Sequence, residues 1–197
     1  VTMTNATTLT GTVRDRILAA ALKLFVEKGF HSTSIPDIVA ASGTSIGAVY
    51  HHFESKDELA HVLHRQLVDQ FVEMSSAEVL SLPDARSRVR GYVAMMFRIT
   101  EEDPDFVSYL IYARPKSAVD NNLTVCSAEG MEVTRAIVVE GQAAGEVRSA
   151  DDRVLCGLIS GTIMRLIDLR LDGVIVDPLT GLAEVTTDVI WSGLKTT

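Results

Sequence analysis

The fold is decided by residues 33–59, which read TSIPDIVAASGTSIGAVYHHFESKDEL. Two short helices are predicted here, over 35–42 and 46–52, and each follows a serine whose hydroxyl can cap a helix N-terminus. Gly43 ends the first of them, since a residue without a Cβ readily adopts the left-handed conformation that closes a helix. Because the linker between the helices is so short, they must cross steeply and cannot lie antiparallel. This stretch is therefore predicted to form a helix-turn-helix.

The second of these short helices has an unusual composition for a core element. Gly47 and Ala48 are small, whereas Tyr50, His51 and His52 end in polar groups. Small residues allow a helix backbone to approach base edges in the major groove of DNA, and hydroxyl and imidazole groups can bind the phosphate oxygens on either side. This composition favours DNA recognition. The alternative is a short surface helix whose histidines are incidental.

Most of the remaining sequence also has helical periodicity. The strand-like runs are too short and too isolated to form a sheet, so we expect an all-α fold of about nine helices. The further predicted helices are about 13–28, a long fourth helix that opens at Ser55, and 84–101, 105–113, 119–144, 151–171 and 178–193. A Ser or Thr followed by an acid three residues later predicts capped helix starts at Thr12/Asp15, Ser34/Asp37, Ser55/Glu58, Ser81/Asp84 and Ser149/Asp152.

The composition indicates a folded chain with little general attraction to DNA. Hydrophobic residues make up 47% of the 197 residues, which is ample for a core. The net charge is −8, but residues 1–60 hold five basic and six acidic groups, so most of the acidity lies beyond them. Non-specific attraction to phosphates is therefore expected to be weak. Neither a membrane span nor a signal peptide is recognisable, which predicts a cytoplasmic protein with no membrane partner.

The residues around the helix-turn-helix carry a family resemblance. Residues 34–59, together with 18–30, resemble the N-terminal domain of the tetracycline-repressor (TetR) family. The positions in register are Phe25, Gly29, Ile38, Gly43, Gly47, Tyr50, His52, Phe53, Lys56 and Leu59. The resemblance implies a homodimer that binds a palindromic operator in double-stranded DNA and is released when a small molecule occupies the second domain. It also implies base or groove contacts by Thr44, Ser45, Gly47, Ala48 and His51, and phosphate contacts by Ser34, Tyr50, His52 and Lys56.

The resemblance and the helix pattern together suggest three regions. Residues 1–11 are expected to form a flexible arm, residues 12–59 the DNA-binding domain, and residues 60–197 a helical domain for ligand binding and dimerisation. No low-complexity linker separates the last two regions, so the fourth helix is expected to connect them rigidly. We expect this helix to transmit ligand binding to the DNA-binding end.

Two departures from the family pattern affect the expected DNA contacts. Ile46 stands where the family often has a basic or polar residue, which favours apolar contact, such as with a thymine methyl, over a contact to guanine. Residues 1–11 contain no Arg or Lys that could enter the minor groove. Binding is therefore expected to depend on the third helix and on few phosphates, with a shallow salt dependence.

The second region contains flexible and aromatic side chains that could line an adaptable apolar pocket. The candidates for ligand contact are Phe71, Met95, Met96, Ile99, Tyr109, Tyr112 and Met131. Ordinary core packing is the alternative for each of them. Arg98 and Arg114 could pair with an anionic ligand if they face inward, although exposure to solvent is commoner for arginine. The effector is expected to be small and largely apolar.

The helix near 151–171 is apolar around most of its circumference and needs partners on several sides. Gly157 and Gly161 lie four residues apart on one face and would let another helix approach closely. The candidates for the dimer interface are Leu155, Gly157, Gly161, Met164 and Trp191. With the last helix, two such helices from each subunit would form a four-helix dimer core, and the alternative is burial within one subunit.

Three other classes of function remain as alternatives. No GxSxG, HExxH, GxGxxG or P-loop pattern occurs, so no catalytic residue and no cofactor are predicted. His61 and His64 would suit a metal-responsive regulator, but two imidazoles without a nearby cysteine or paired carboxylate seldom form a site, and no metal ligand is predicted. Cys126 and Cys156 are expected to be small hydrophobic residues and not a redox pair. A helical interaction adaptor that does not bind DNA is the third alternative.

Overall fold

The protein is described here by a computed structural model that covers residues 11–113 and 128–196. Over these residues the chain forms nine α-helices and no strand, which confirms the all-α fold. The helices are α1 Val13–Lys28, α2 Ile35–Ser42, α3 Ile46–His52, α4 Lys56–Ser75, α5 Ala85–Glu102, α6 Pro104–Ser108, α7 Ala128–Ala143, α8 Asp152–Leu171 and α9 Ala183–Leu194. A π-helical turn follows α4 at Ser76–Leu80, another follows α6 at Tyr109–Ala113, and a 3₁₀ turn at Leu179–Leu182 precedes α9.

The first three helices begin and end where the sequence pattern places them. The predicted helix over 119–144 is present from Ala128 to Ala143, and its first part lies outside the described residues. No described helix combines the length and the apolar character that crossing a lipid bilayer requires.

Two of the predicted capping boxes form in full. The Asp15 amide donates to Thr12 Oγ1 at 3.1 Å, and the Thr12 amide donates to the Asp15 carboxylate at 3.4 Å. Ser34 and Asp37 make the same reciprocal pair at the start of α2. At the start of α4, Ser55 Oγ accepts from the Glu58 amide at 3.0 Å, but the Glu58 carboxylate binds the amide of Glu54 instead of that of Ser55. The local pattern therefore marked all three helix starts.

The two later predicted caps are wrong. Asp84 itself caps α5, because its Oδ1 accepts from the Ser87 amide at 2.8 Å, while the Ser81 hydroxyl donates to the carbonyl of Ala77 in the preceding turn. Asp151 caps α8 by accepting from the Arg153 amide at 2.9 Å. A carboxylate makes a stronger, charge-assisted hydrogen bond at the positive end of a helix than a hydroxyl does. An aspartate nearer to the first helical turn therefore takes the cap from the upstream serine.

The chain divides into two compact units, which we describe separately. The first unit runs to Gln70 and also contains the segment that begins at Asp103. This unit is larger than the 12–59 region marked by the sequence, because α6 and the turn after it contact α1. Phe106 and Tyr109 are fully buried there.

The second unit contains Phe71–Glu102 and the described residues from 128 onward. Its central helix is α5, which contacts α7, α8 and α9 and buries a row of side chains. These are Val89, Tyr92, Val93, Met96 and Phe97. α7 lies close to the start of α5 at Gly141, where an added Cβ would lie 2.5 Å from Val147 Cγ2 and 2.9 Å from Ala85 Cβ. Two ion pairs, Arg98 with Glu78 and Arg170 with Glu101, join the C-terminal part of α5 to neighbouring elements.

Candidate nucleic-acid interface

The turn between α2 and α3 is fixed by short-range contacts. Gly43 has φ 62° and ψ 33°, a left-handed conformation that glycine adopts without steric cost. The hydroxyl groups of Ser42 and Thr44 lie 2.7 Å apart, and Ser45 Oγ accepts from the Ala48 amide at 3.1 Å. Thr44 and Ser45, which the resemblance assigns to DNA contact, therefore also shape the turn. Their hydroxyls orient the first turn of α3.

α3 has one buried face and one exposed face. Val49 is inaccessible to solvent and Phe53, directly after the helix, is 2% exposed, so these two side chains hold the helix to the core. On the opposite face Ile46 is 52% exposed and Tyr50 is 54% exposed. The other predicted DNA contacts of this region divide into exposed positions, Ser34, Ser45, Gly47 and His51, and half-buried positions, Thr44, Ala48 and His52.

Gly47 lies on the open face of α3. A Cβ built at this position would meet only Ser45 Oγ, at 3.9 Å. Since no atom of the chain crowds the glycine, the helix backbone is accessible from outside at this position. The face that the sequence assigned to DNA is therefore available to a large partner.

The start of α2 carries a persistent negative charge. Ser34 donates from its amide to Asp37 Oδ2 at 2.8 Å and from its hydroxyl at 2.6 Å. These hydrogen bonds hold the pKa of the Asp37 carboxyl below its ordinary value, and the bond from the Ser34 hydroxyl has the larger effect. Lys28 Nζ lies 3.8 Å from the same carboxylate. One of the few cations of the first unit is thus partly neutralised.

Lys56, which the resemblance assigns to phosphate contact, also makes contacts within the first unit. Its Nζ donates to the carbonyl oxygens of Phe30 and Thr33, each at 2.8 Å, and lies 4.3 Å from the centroid of the Phe30 ring. The sequence analysis missed Thr33 itself, a buried residue whose hydroxyl lies 2.9 Å from the Gly29 carbonyl. A hydroxyl four residues after a helix-ending glycine is a signal that could have identified it.

Sequence analysis also missed Arg14, near the start of α1. Its guanidinium lies 5.7 Å from the centroid of the Phe53 ring, which follows α3. This contact joins the first turn of α1 to the end of α3.

The helix-turn-helix segment matches a family of known regulators. Residues 17–63 match the family model described as "Bacterial regulatory proteins, tetR family". This segment therefore resembles bacterial regulators of the TetR family. The described helices also have the all-α architecture expected for that family.

Two curated relatives show how far this chain resembles characterised regulators. It is 29% identical over 139 residues to the HTH-type transcriptional repressor NicS of Pseudomonas putida. The aligned segment covers 68% of this chain and 66% of NicS. It is 32% identical over 90 residues to the HTH-type transcriptional activator FasR of Mycolicibacterium smegmatis. This aligned segment covers 46% of this chain and 41% of FasR. The matched segments thus span less than two thirds of either relative.

A solved structure has the same fold as this chain. The crystal structure of FadR from Bacillus subtilis in complex with stearoyl-CoA superposes with a TM-score of 0.77 at 19% identity. The superposition covers 90% of this chain and 97% of FadR. This likeness shows a shared fold.

The predicted ligand contacts whose side chains are described do not form a single cluster. Phe71, Met95, Met96 and Ile99 are buried in the second unit. Tyr109 belongs to the first unit, and Tyr112 is 56% exposed. The side chain of Met131 and the whole of Arg114 lie outside the described residues. Arg98 is engaged by Glu78 and Glu102, at 2.8 and 2.9 Å.

An open cleft of about 450 Å³ lies in the second unit, between the end of α4 and α7. Its lining is mostly apolar, with charged groups among the α7 residues. The lining residues are Val72, Ser76, Leu80, Glu132, Val133, Arg135, Ala136, Val139 and Glu140. None of the predicted ligand contacts whose side chains are described lines this cleft. These positions were not predicted because the candidates were chosen mainly among aromatic residues and methionines, whereas aliphatic, small and charged side chains line the cleft.

The predicted dimer residues have different environments. Leu155 is buried within the subunit, and Met164 and Trp191 are half-buried. Gly157 and Gly161 are exposed, and a Cβ at either would meet no atom within 4 Å. The exposed valines of these two helices are Val154 on α8 and Val185 and Val189 on α9.

The histidine and cysteine alternatives can be located in the same structure. His61 lies 2.9 Å from the Arg65 guanidinium, and His64 is buried with its ring 6.1 Å from that of Tyr109. Among the described residues, no group of three His, Cys, Asp or Glu side chains could hold a metal ion. Cys156 is buried, which raises the pKa of its thiol. Cys126 lies outside the described residues.

Proposed function

We propose that this protein is a ligand-responsive transcriptional repressor that binds a palindromic operator as a homodimer. The observation that carries the proposal is the two-sided character of α3. Val49 fixes one face to the core, while Ile46, Gly47 and Tyr50 leave the other open. A helix held in this way can enter the major groove without losing its support.

The exposed face of α3 suits recognition by close fit. Gly47 and Ala48 permit the backbone to approach the base edges, and Ile46 offers an apolar surface for a thymine methyl group. Tyr50, His51 and His52 carry hydroxyl and imidazole groups for phosphate oxygens. Close fit must contribute much of the affinity, because the first unit has few unpaired cations to attract phosphates.

Dimerisation through α8 and α9 would present two such helices. Gly157 and Gly161 are exposed and lie on one face of α8 together with Val154. Val185 and Val189, four residues apart on α9, are also exposed. Apolar and small side chains that remain exposed in one subunit favour burial by a second copy. A two-fold dimer reads half-sites whose centres are separated by about one helical turn, roughly 34–36 Å, or by a multiple of it.

The effector is proposed to be small and largely apolar. The second-unit cleft supports this, since Val72, Leu80 and Val139 line it. The bound stearoyl-CoA of FadR is also consistent with an apolar effector in a protein of this fold. If the effector prefers a conformation with mis-spaced recognition helices, linkage requires the operator to weaken effector binding by the same factor.

Selection of bound fragments from the source genome tests the proposal. Enrichment of a palindrome is expected, and the genes beside it would narrow the effector. Gly47→Ala should then weaken operator binding because the added methyl group occupies space needed by the bases, while the free energy of unfolding stays the same or rises. Failure to enrich any palindrome would overturn the dimeric repressor and favour an interaction adaptor.

The dimer is tested separately by sedimentation. Gly161→Leu should raise the dissociation constant of the dimer, because the larger side chain blocks close approach of a second helix. Val176→Leu is the control, since Val176 is 79% exposed and lies outside α8 and α9. An unchanged dimer in Gly161→Leu would exclude this face as the interface.

A further inference from the structure

The cleft between the end of α4 and α7 has an open apolar surface. Val72 of α4 and Val139 of α7 line it and are 45% and 43% exposed. The π-helical turn after α4 supplies Ser76 and Leu80 to the same lining. Turns of this kind are rare and often occur at functional sites. The cleft therefore offers an apolar surface that a ligand could cover.

The charged groups of the cleft do not balance. Arg135 Nε lies 3.6 Å from the Asp152 carboxylate, and the Glu140 carboxylate binds the guanidinium of Arg88. The side chain of Glu132 is exposed and has no ion-pair or hydrogen-bond partner among the described residues. Two carboxylates and one guanidinium line the cleft, so its net charge is −1. Adding Asp152 and Arg88 leaves this total unchanged, and Glu132 is the carboxylate that stays unbalanced.

The rest of the chain adds to this negative potential. Residues 61–197 hold 13 basic and 20 acidic groups, a net charge of −7. A field of this sign attracts cations and repels anions, and more strongly at low salt. Ala136 and Val139 follow Glu132 by four and seven residues, so the three share one face of α7. One molecule can therefore contact the carboxylate and the apolar surface together.

We propose that the cleft binds an amphiphilic cation, an apolar molecule with a protonated amine, whose ammonium pairs with the Glu132 carboxylate. This inference rests on the function proposed above, because it names the chemical class of that effector. An alkylamine is protonated at pH 7, as the lysine side chain is. An anionic amphiphile would meet the unbalanced carboxylate, and it would have to compete with Asp152 for Arg135.

Three probes with the same alkyl chain test the proposal: n-octylamine, n-octanol and n-octanoate. Their dissociation constants are measured at pH 7 by NMR titration of the free protein, below the concentrations at which they form micelles. We expect the amine to bind about fivefold more tightly than the alcohol, as for an exposed ion pair at the upper end of its usual range. Octanoate should bind more weakly than either. Equal affinities, octanoate binding tighter than octanol, or no binding of any probe would overturn the proposal.

Glu132→Gln assigns the preference to one side chain, because glutamine keeps the shape of glutamate and removes its charge. The affinity for octylamine should fall to that for octanol, while the affinity for octanol stays the same. Glu73→Gln is the matched control, since it removes the same charge from an exposed side chain of α4 that does not line the cleft. This control should keep most of the preference for the amine. A preference that survives in Glu132→Gln, or an equal loss in Glu73→Gln, would overturn the proposal.

Measurements on the wild type locate the ligand and keep the test open if Glu132→Gln fails to fold. The amide signals of Val133, Ala136 and Val139 should shift with each probe, and shifts confined to the first unit would overturn the proposal. Added salt should reduce the advantage of octylamine over octanol, because it screens an exposed ion pair. An advantage that did not change with salt would overturn the proposal as well.

Operator binding is measured separately, so that the two failures can be told apart. If the protein enriched no palindrome, the proposed function would fail, whereas the preference for the amine would still be measured on the free protein. If it bound an operator but did not prefer the amine, this inference alone would be overturned.

Discussion

The rings of Phe25 and Tyr109 stack with their centroids 6.4 Å apart and their planes 25° from parallel. The Tyr109 hydroxyl donates to the Ala60 carbonyl at 3.4 Å, so this one side chain contacts both α1 and α4. Burial raises the pKa of the Tyr109 phenol, as expected for a group with no charged partner nearby. A residue that is 84 positions from Phe25 in sequence thus belongs to the core of the first unit.

Tyr109→Ala should destabilise the protein strongly, because it leaves a cavity between α1 and α4. The expected loss in the free energy of unfolding is about 3–5 kcal/mol, as for other large aromatic truncations. Tyr109→Phe removes only the hydrogen bond and should cost about 0.5–1.5 kcal/mol. Urea unfolding at fixed protein concentration measures both. Tyr112→Ala, at an exposed tyrosine, is the control, and equal losses at the two positions would contradict the burial of Tyr109.

The Glu101–Arg170 pair predicts a pH dependence of stability. Hydrogen bonds from Arg170, the larger cause, and from the Leu179 amide lower the pKa of Glu101 below its ordinary value of 4.5. Because the folded-state pKa is the lower one, the stabilisation is complete above about pH 4.5 and is lost as the pH falls through the folded-state pKa. Glu101→Gln should therefore reduce stability at pH 7 and flatten its decline in acid.

Unfolding by urea at pH 7 and at pH 3.5 measures this effect. The matched control is Glu184→Gln in the Arg90–Glu184 pair, whose side chains are 65% and 70% exposed and contribute little. If the free energy of unfolding of Glu101→Gln fell between pH 7 and pH 3.5 as steeply as that of the wild type, Glu101 would not be the source of the pH dependence.

Gly141→Ala should destabilise the second unit. The new methyl group would overlap with Val147 and Ala85, and the β-branched valine has little freedom to move away. Overpacking of this kind costs about 1–3 kcal/mol, and the higher helix propensity of alanine offsets part of that cost. Gly47→Ala is the control, since its Cβ is unhindered. A Gly141→Ala protein as stable as the wild type would mean that α7 can shift away from α5.

Ile46 should make binding sensitive to a thymine methyl group. Once an operator is known, each thymine is replaced in turn by deoxyuridine, which removes only the methyl group. One replacement should weaken wild-type binding about fourfold, the value expected for the loss of one buried methyl of about 0.8 kcal/mol. Ile46→Ala should bind both DNAs equally, whereas Tyr50→Phe should keep the discrimination. Equal sensitivity of Ile46→Ala and the wild type would exclude the contact.

Capping residues and helix-ending glycines were sufficient to predict the bounds of the first three helices. Ser34 and Ser45 cap α2 and α3, and Gly43 supplies the left-handed residue between them, all within a few positions of sequence. The same rules failed at α5 and α8, where Asp84 and Asp151 compete with the upstream serines. Several caps were possible at these helices, and the choice depends on which one lies nearest to the first helical amide.

The candidate interface was predictable for the same reason. The residues that face away from the core on α3 follow from its helical period once Val49 and Phe53 are recognised as buried. The cleft of the second unit was not predictable, because its lining comes from two segments about sixty residues apart, around Val72 and Val133. Sequence periodicity identifies which face of a helix is apolar, but it does not indicate whether that face is filled or left open.

The sequence by itself determined the helix-turn-helix and its exposed face, since capping, a left-handed glycine and a three-residue linker act over a few residues. Only the tertiary structure decided that Tyr109 supports the first unit and that the Lys56 ammonium binds the carbonyls of Phe30 and Thr33. These contacts join residues 23 or more positions apart. Their formation depends on how whole helices pack, and no local pattern specifies that packing.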